Sequence, residues 1–365
     1  MFSVIMAGGE GSRLWPLSTL NKPKPLLRLF RNKTLLELTI ERLLSVTPEN
    51  KIFLVITQQF EDKVREVLHS FPFENIITEP VGRNTAPCIA LAARKILDKD
   101  SNAVIGVFPS DHLIVNYDHF YECIKQGERL AKRFNKIVLL GLTPKEPSTD
   151  YGYVFLGEKI SSGGKKIRCF HATGFMEKPD LKTAKHMINE GMVLWNSGIY
   201  IGRAKKFLDE ISKNMPDVYD SIGRFYSDYE NLRKAYETFP SISIDYAVTE
   251  KLKDFIAIST QINRIDFGNY NAFYELWEKD KENNAVSGEF IGIDSQRNII
   301  FSKQKPVASV SVSNMVIIDT PDAILVCPRS KACEVKSLQE KWKKLRQNKM
   351  SMQRGKRNSD RNWGR

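Results

Sequence analysis

Three short runs of unbroken apolar residues constrain this chain most: Ile52–Ile56, Val104–Phe108 and Ile137–Leu140. Each is strand-sized and lacks the polar alternation of a strand with one wet face. Between and around them the spacing turns helical, over 60–69, 86–97 and 120–134. Fully apolar strands alternating with helices predict βαβ units and a sheet covered on both faces, an α/β class of fold. Residues 2–7 supply a first strand and Ile76-Ile77 a short one. The stripe Leu35, Leu36, Leu38, Ile40, Leu43 and Leu44 follows Thr34, a plausible helix cap. Ala90, Ala92 and Ala93 suit a helix packed close on a sheet.

Past residue 150 the texture changes. Strands are expected near 153–157, 167–175 and 194–202, with helices near 181–190 and 204–213. Residues 214–253 look largely helical. From 285 to 328, short strands separated by turn residues predict a small β module, a roll or a short β-helix, and a helix follows over about 332–347. No sustained internal repeat is visible. The expected domains are 1–280, 285–340 and a basic, disordered tail over 343–365.

Composition removes several function classes. At 42% hydrophobic and 27% charged residues, the 365-residue chain is not a disordered one. Cys88, Cys123, Cys169, Cys327 and Cys333 are far apart, with no Cys-x-x-Cys pair and no His-Glu-x-x-His. That argues against a zinc finger or a disulfide framework. No segment approaches the ~20 apolar residues of a membrane span. Met1–Gly8 reads as a first strand rather than a signal peptide, so a cytoplasmic location is expected. The net charge of +12 is uneven: 343–365 holds nine Lys/Arg and one Asp, a net of +8, leaving +4 for the rest. With one Trp and no aromatic interleaving, that tail reads as a solvated terminus, and nucleic acid is set aside as a partner.

The motifs that carry chemistry follow the strands. Ala7-Gly8-Gly9-Glu10-Gly11-Ser12-Arg13 comes directly after the first. Closely spaced glycines let backbone N–H groups approach a polyphosphate. It is neither a P-loop nor a dinucleotide fingerprint, since no Gly-Lys pair stands there and Trp15-Pro16 opposes a helix opening at once. Arg13 could offset charge on a phosphate leaving group. In Lys22-Pro23-Lys24-Pro25, two prolines stiffen an extended segment that can hold Lys24 in place, although alone this motif reads as a surface lysine. Pro109-Ser110-Asp111-His112 ends a buried strand, where α/β sheets bind ligands, and Asp111 there suits Mg²⁺. Gly152, Glu177 and Asn196 are of the types that recognise sugar hydroxyls, and Lys178 could meet a sugar phosphate. Each alone is also compatible with turn chemistry. Asp266, before a Gly turn, could supply a second metal carboxylate.

Taken in order, AGGEGSRLWPLS, EPVGRNTAP (79–87), PSDH, YGYV, EKP, WNSG and SIDYAVTEK (243–251) resemble the sugar-1-phosphate nucleotidylyltransferases, most closely the mannose-1-phosphate guanylyltransferases. The resemblance covers about residues 3–335. It implies a Rossmann-like nucleotidyltransferase domain, with a mixed, mostly parallel sheet flanked by helices, and a small C-terminal β domain. It also implies roles: Gly8, Gly9, Gly11 and Arg13 around the nucleotide phosphates; Lys24 on a phosphate; Asp111 and Asp266 as paired Mg²⁺ ligands; Gly152, Glu177, Lys178 and Asn196 at the sugar phosphate; Asn84 and Thr85 on the purine side. Two segments depart from the family pattern. PKQF is replaced by Pro23-Lys24-Pro25-Leu26, and WSDxGxW by Arg264-Ile265-Asp266-Phe267-Gly268-Asn269-Tyr270.

The implied reaction joins GTP and mannose 1-phosphate into GDP-mannose and diphosphate. A phosphate monoester is already ionised at neutral pH, so catalysis needs positioning and charge neutralisation rather than a strong base. Arg13, Lys24 and Asp111 would carry it. The alternatives are another sugar phosphate (heptose, fucose or glucose type) and a non-catalytic regulatory homologue. The oligomeric state is open, a homodimer being one option.

Overall fold

The computed structural model describes residues 1–114, 117–161, 167–262 and 264–346. The basic tail lies outside the described residues from 347 onwards. Two compact units divide the chain. One comprises Met1–Gly9 and Arg28–Arg264; the other comprises Glu10–Leu27 and Ile265–Arg365.

Among the described residues, the main sheet of the first unit has nine strands: β1 (Phe2–Met6), β2 (Ile52–Thr57), β3 (Ile76–Glu79), β4 (Val104–Pro109), β5 (Val138–Leu142), β6 (Tyr153–Ile160), β7 (Arg168–Met176), β8 (Val193–Arg203) and β9 (Phe255–Thr260). They form one sheet in the order β3-β2-β1-β4-β8-β5-β9-β7-β6. Strands β3, β2, β1 and β4 run parallel, as expected of βαβ units. Beyond them the sheet is mixed: β8 is antiparallel to β4 and β5, whereas β5 and β9 are parallel. Strand β9 is not expected from the sequence, where this stretch reads only as an alternating segment leading to Asp266. It is buried throughout.

Helices cover the sheet: α1 (Leu35–Leu44), α2 (Glu61–Val67), α3 (Thr85–Leu97), α4 (Tyr117–Phe134), α5 (Leu181–Glu190), α6 (Ala204–Asn214), α7 (Pro216–Phe225), α8 (Tyr229–Thr238) and the short α9 (Ile244–Ala247). Thr34 caps α1 in a reciprocal box: its Oγ1 accepts from Glu37 N at 3.1 Å, and its own N donates to Glu37 Oε2 at 2.7 Å. Such a cap stabilises a helix by about 1 kcal/mol. Ala90, Ala92 and Ala93 are fully buried in the main core with Val4, Val55 and Ile105. Small side chains let α3 lie close on the sheet there.

The second unit joins the segment after Gly9 to the C-terminal coil. Its elements are α10 (Asn271–Leu276), β10 (Ala285–Ile293), β11 (Ile299–Val310), β12 (Met315–Asp319), β13 (Ile324–Pro328) and a helix over 335–346, α11. Strands β10, β11 and β12 stack in parallel, Ala285 opposite Ile299 and Ile299 opposite Val316; β13 closes antiparallel on β12. A rise of 14 and then 17 residues hides the repeat from sequence. Asparagines tie the turns. Asn298 N donates to Asn284 Oδ1 at 3.0 Å, and Asn298 Oδ1 accepts from Met315 N at 2.9 Å. The segment Glu10–Leu27 holds two 3-10 turns (Ser12–Leu14 and Lys24–Leu26), and a small hairpin (Arg28–Phe30 with Lys33–Thr34) opens the return to the first unit.

Candidate active site

Within the first unit, contacts of long sequence separation gather most of the candidate motifs. Asp111 leaves the C-terminal end of β4, and its carboxylate is about one-third exposed. Buried α1 side chains hold its neighbours. Arg42 Nη1 donates to the His112 carbonyl at 2.9 Å, and Thr39 Oγ1 to the Ser110 carbonyl at 3.4 Å. Burial lowers the Arg42 pKa to about 10. Ser110 N donates to the Met6 carbonyl at 3.2 Å, tying this turn to the strand that leads into Gly8.

The Trp-Asn-Ser-Gly turn meets the same place. Gly198 has φ +74°, and a Cβ there would sit 3.3 Å from Pro109 Cγ and 3.7 Å from His112 Cε1. The left-handed backbone and the close approach both require glycine. Asn196 is buried: its N donates to the Gly152 carbonyl at 2.7 Å, its Oδ1 accepts from Gly198 N at 2.9 Å, and its Nδ2 donates to Asp245 Oδ1 at 2.9 Å. Tyr200 OH also donates to Asp245 Oδ1.

Gly152 is packed against the next candidate, since a Cβ there would collide with Glu177 Oε2 and Phe175 Cζ. The Glu177 side chain is 8% exposed, with Lys178 Nζ 3.3 Å from its Oε1. Burial, and then the nearby Asp245 charge, push its carboxyl up to about 7, against the opposing pull of Lys178. Lys178 takes φ +48°, and its N donates to the Tyr151 carbonyl at 3.2 Å. Tyr151 packs on Trp195, ring centroids 4.8 Å apart, with Arg264 lying 5.4 Å from the Tyr151 centroid. Arg264 Nη1 donates to the Ser197 carbonyl at 2.6 Å.

The purine-side candidates join the same framework. Asn84 (φ +68°) caps α3, its Oδ1 accepting from Thr85 N at 2.8 Å. Thr85 Oγ1 accepts from Ile244 N at 2.8 Å, one residue before Asp245. Arg83 donates to the Tyr236 and Glu237 carbonyls at 2.7 and 2.6 Å. Gly8 lies over Thr57 and Glu79: a Cβ would come within 3.3 Å of Thr57 Cγ2 and 3.5 Å of Glu79 Oε2. Glu79 is 3% exposed, and burial pushes its carboxyl up to about 8 despite hydrogen bonds with Tyr236 and Cys88. A Cβ on Gly9 would meet nothing within 4 Å.

The second unit carries Gly11, Arg13, Lys24 and Asp266. Gly11 has φ +75°, and a Cβ there would collide with Lys24 Cβ and lie 2.8 Å from Ser18 Oγ. Lys24 is only 9% exposed, so it is a buried lysine and not a surface one. Its N donates to the Glu10 carbonyl at 3.3 Å, which also accepts from Ser18 Oγ. Arg13 is exposed. Asp266 precedes the buried Phe267 and lies 3.6 Å from where a Gly268 Cβ would stand. Tyr270, which takes the place of a family tryptophan, is fully buried, and its OH donates to the Leu14 and Trp15 carbonyls at 2.8 and 2.9 Å.

Asp245, Tyr200 and Glu79 are not singled out by sequence reasoning. Asp245 and Glu79 do stand inside quoted motifs, SIDYAVTEK and EPVGRNTAP. Among the described residues, no helix is long and apolar enough to cross a membrane.

Comparison with known proteins gives the family. The nucleotidyl transferase family matches residues 2–283, and the MannoseP isomerase/GMP-like beta-helix domain matches 288–341. The mannose-1-phosphate guanylyltransferase of Klebsiella pneumoniae is 35% identical over 374 residues, covering 100% of this chain and 78% of that protein. Its Escherichia coli K12 namesake is 34% identical, covering 94% and 73%. The crystal structure of mannose-1-phosphate geranyltransferase from Thermus thermophilus superposes with a TM-score of 0.83 at 29% identity, over 94% of this chain and 99% of that one. With a family match across more than three-quarters of its length and whole-chain likeness to these relatives, the chain belongs to the nucleotidyl transferases, in the branch of the mannose-1-phosphate guanylyltransferases.

Proposed function

We propose that this enzyme transfers a guanylyl group from GTP to α-D-mannose 1-phosphate, giving GDP-mannose and diphosphate. The observation that carries the sugar side is the buried network of Gly152, Glu177, Asn196, Tyr200 and Asp245. It combines a carboxylate, an amide and rigid backbone beside the Tyr151–Trp195 pair, the mixture of polar and aromatic groups that suits a pyranose ring. Lys178 is the cation beside it for the sugar's phosphate.

On the nucleotide side, Gly8, Gly9 and Gly11 would present backbone N–H groups to the phosphates, and Asn84 and Thr85 would lie toward the purine. A phosphate oxygen of the sugar attacks the α-phosphorus, and its bond to the bridging oxygen of diphosphate breaks opposite. Arg13 would neutralise the departing diphosphate and Lys24 the α-phosphate or the incoming one. The Lys24 backbone N is bonded to the Glu10 carbonyl and its Cβ lies against Gly11, so the base of its side chain is fixed before binding.

Asp111 and Asp266 are hard oxygen donors, and they would hold a magnesium ion. The fit rests on Asp111, whose carboxylate is part-exposed on a turn fixed by Arg42 and Thr39. When bound, the ion offsets charge on phosphate oxygens. A cytoplasmic location is proposed with this function.

The test is diphosphate release from purified protein with magnesium, over a panel of nucleoside triphosphates and sugar 1-phosphates. Release confined to GTP with mannose 1-phosphate supports the proposal. Release with another pair keeps the chemistry and moves the sugar or base assignment, pointing to the altered 264–270 segment. No release with any pair overturns it in favour of a regulatory homologue.

A further inference from the structure

The glycine-rich loop of this chain contains an acid at Glu10, between Gly9 and Gly11. A carboxylate there opposes the loop's task, because like charges at close range disfavour a bound polyanion. The C-terminal part of the same unit supplies a partner for it. Lys343, near the end of α11, places Nζ 2.8 Å from Glu10 Oε2. One residue earlier, Trp342 packs on Trp15, ring centroids 5.7 Å apart, and the Arg346 guanidinium lies 5.3 Å from the Trp342 centroid. The ion pair is therefore flanked by a packed row, Arg346 over Trp342 and Trp342 tilted at 48° against Trp15. It is not an isolated surface contact. At its other face the Glu10 carbonyl gathers Ser18 Oγ and Lys24 N.

We propose that Lys343 is a positioning residue for nucleoside triphosphate binding: it neutralises Glu10 and keeps that carboxylate turned away from the phosphates. This rests on the nucleotidyl-transfer reading of the loop. Both side chains are partly exposed, at 42% and 32%. Such a pair adds little to folding stability, so its value lies in the charge it removes from the loop. The start of the basic C-terminal segment thereby acquires a specific task.

The experiment is direct titration of GTP with magnesium, without sugar phosphate, at low and high salt. It is done on the full chain, wild type and three variants: K343A, K343R and E10Q/K343A. The expectation for K343A is about tenfold weaker binding at low salt, shrinking as salt screens the exposed carboxylate, with an unchanged melting temperature. K343R should bind like wild type. E10Q/K343A should recover most of the loss, because the repelling charge is gone. Equal binding by K343A and wild type overturns the assignment, as does a double variant that stays as weak as K343A. A wild type that binds none of the nucleoside triphosphates in a panel overturns both this inference and the reading beneath it.

Discussion

Asn196 donates its side-chain amide to the Asp245 carboxylate at 2.9 Å, across 49 positions of sequence. Tyr200 OH donates to the same oxygen, so two neutral donors share one acceptor. Asn196 cannot rotate without losing this bond and the one its Oδ1 accepts from Gly198 N. Asp245→Asn offers a weaker acceptor, or turns an N–H₂ toward these two donors. Leaving such a buried group unsatisfied costs about 1–3 kcal/mol. The expected result is a KM for the sugar phosphate raised roughly tenfold or more, with the KM for nucleotide little changed. Steady-state kinetics with each substrate varied in turn checks it; an equal rise in both constants contradicts it.

Glu177 should give the proposed sugar site a pH dependence. Its carboxyl is pushed up to about 7 by burial and by Asp245, so it gains its charge across neutrality rather than in acid. The ionised form accepts hydrogen bonds from hydroxyls most strongly. The KM for the sugar phosphate should therefore fall as pH rises from about 6 to about 8. Glu177→Gln should raise KM about 10- to 100-fold, the worth of hydrogen bonds to a charged group, and remove this contribution to the slope. The substrate's own phosphate titrates identically against both proteins, so the difference between the two profiles isolates Glu177.

Gly11 and Gly9 should respond differently to alanine. At Gly11 the backbone is left-handed and a Cβ would collide with Lys24; at Gly9 the space is open. Gly11→Ala should cost about 1–3 kcal/mol and displace the lysine. Gly9→Ala should stay within about 0.5 kcal/mol of the parent. Thermal melts of the two variants give the comparison, and equal melting temperatures would contradict the local geometry.

Glu79 predicts a fall in stability with rising pH. Its folded carboxyl titrates near 8, above the ordinary glutamate range, so the folded state retains a proton that the unfolded chain releases. Between about pH 4.5 and 8 the unfolded state binds fewer protons, and stability contributed by this group declines as pH rises through that window. Glu79→Gln keeps the shape without the titration. Its chemical-denaturation midpoint should lose part of the pH slope seen in the parent; an unchanged slope would assign it elsewhere.

Asp111→Ala should lower turnover by at least about a hundredfold while leaving the circular-dichroism spectrum and melting temperature close to the parent's. Arg42 and Thr39 hold the backbone on either side of Asp111 and do not depend on its carboxylate. Near-normal turnover would remove Asp111 from the reaction.

Much of the first unit was legible because its signals are local. The Thr34 cap, the apolar strands and the alanine face of α3 each follow from residues within one turn or strand. Strand β9 was not, because it follows a mostly helical stretch and merges with an alternating segment. The coil's repeat was hidden by its change of rise from 14 to 17 residues. Asp245 illustrates the harder limit. In sequence it is an acid in the first turn of a four-residue helix; only the return of the chain beside β8 gives it Asn196 and Tyr200. Lys24 shows the opposite case, where a lysine that alone reads as a surface residue is buried, its Cβ lying where a side chain at Gly11 would stand.

The peptide bond after Gly9 has a consequence for dissecting this protein. The domain matches suggest a cut near residue 283, yet residues 10–27 draw support from Tyr270, Trp342 and Lys343. A shortened chain ending at 283 would keep every glycine of the glycine-rich loop and lose the tryptophan and lysine that brace it. Trimming for expression, or exchanging C-terminal modules between relatives, therefore edits the glycine-rich loop without touching its sequence.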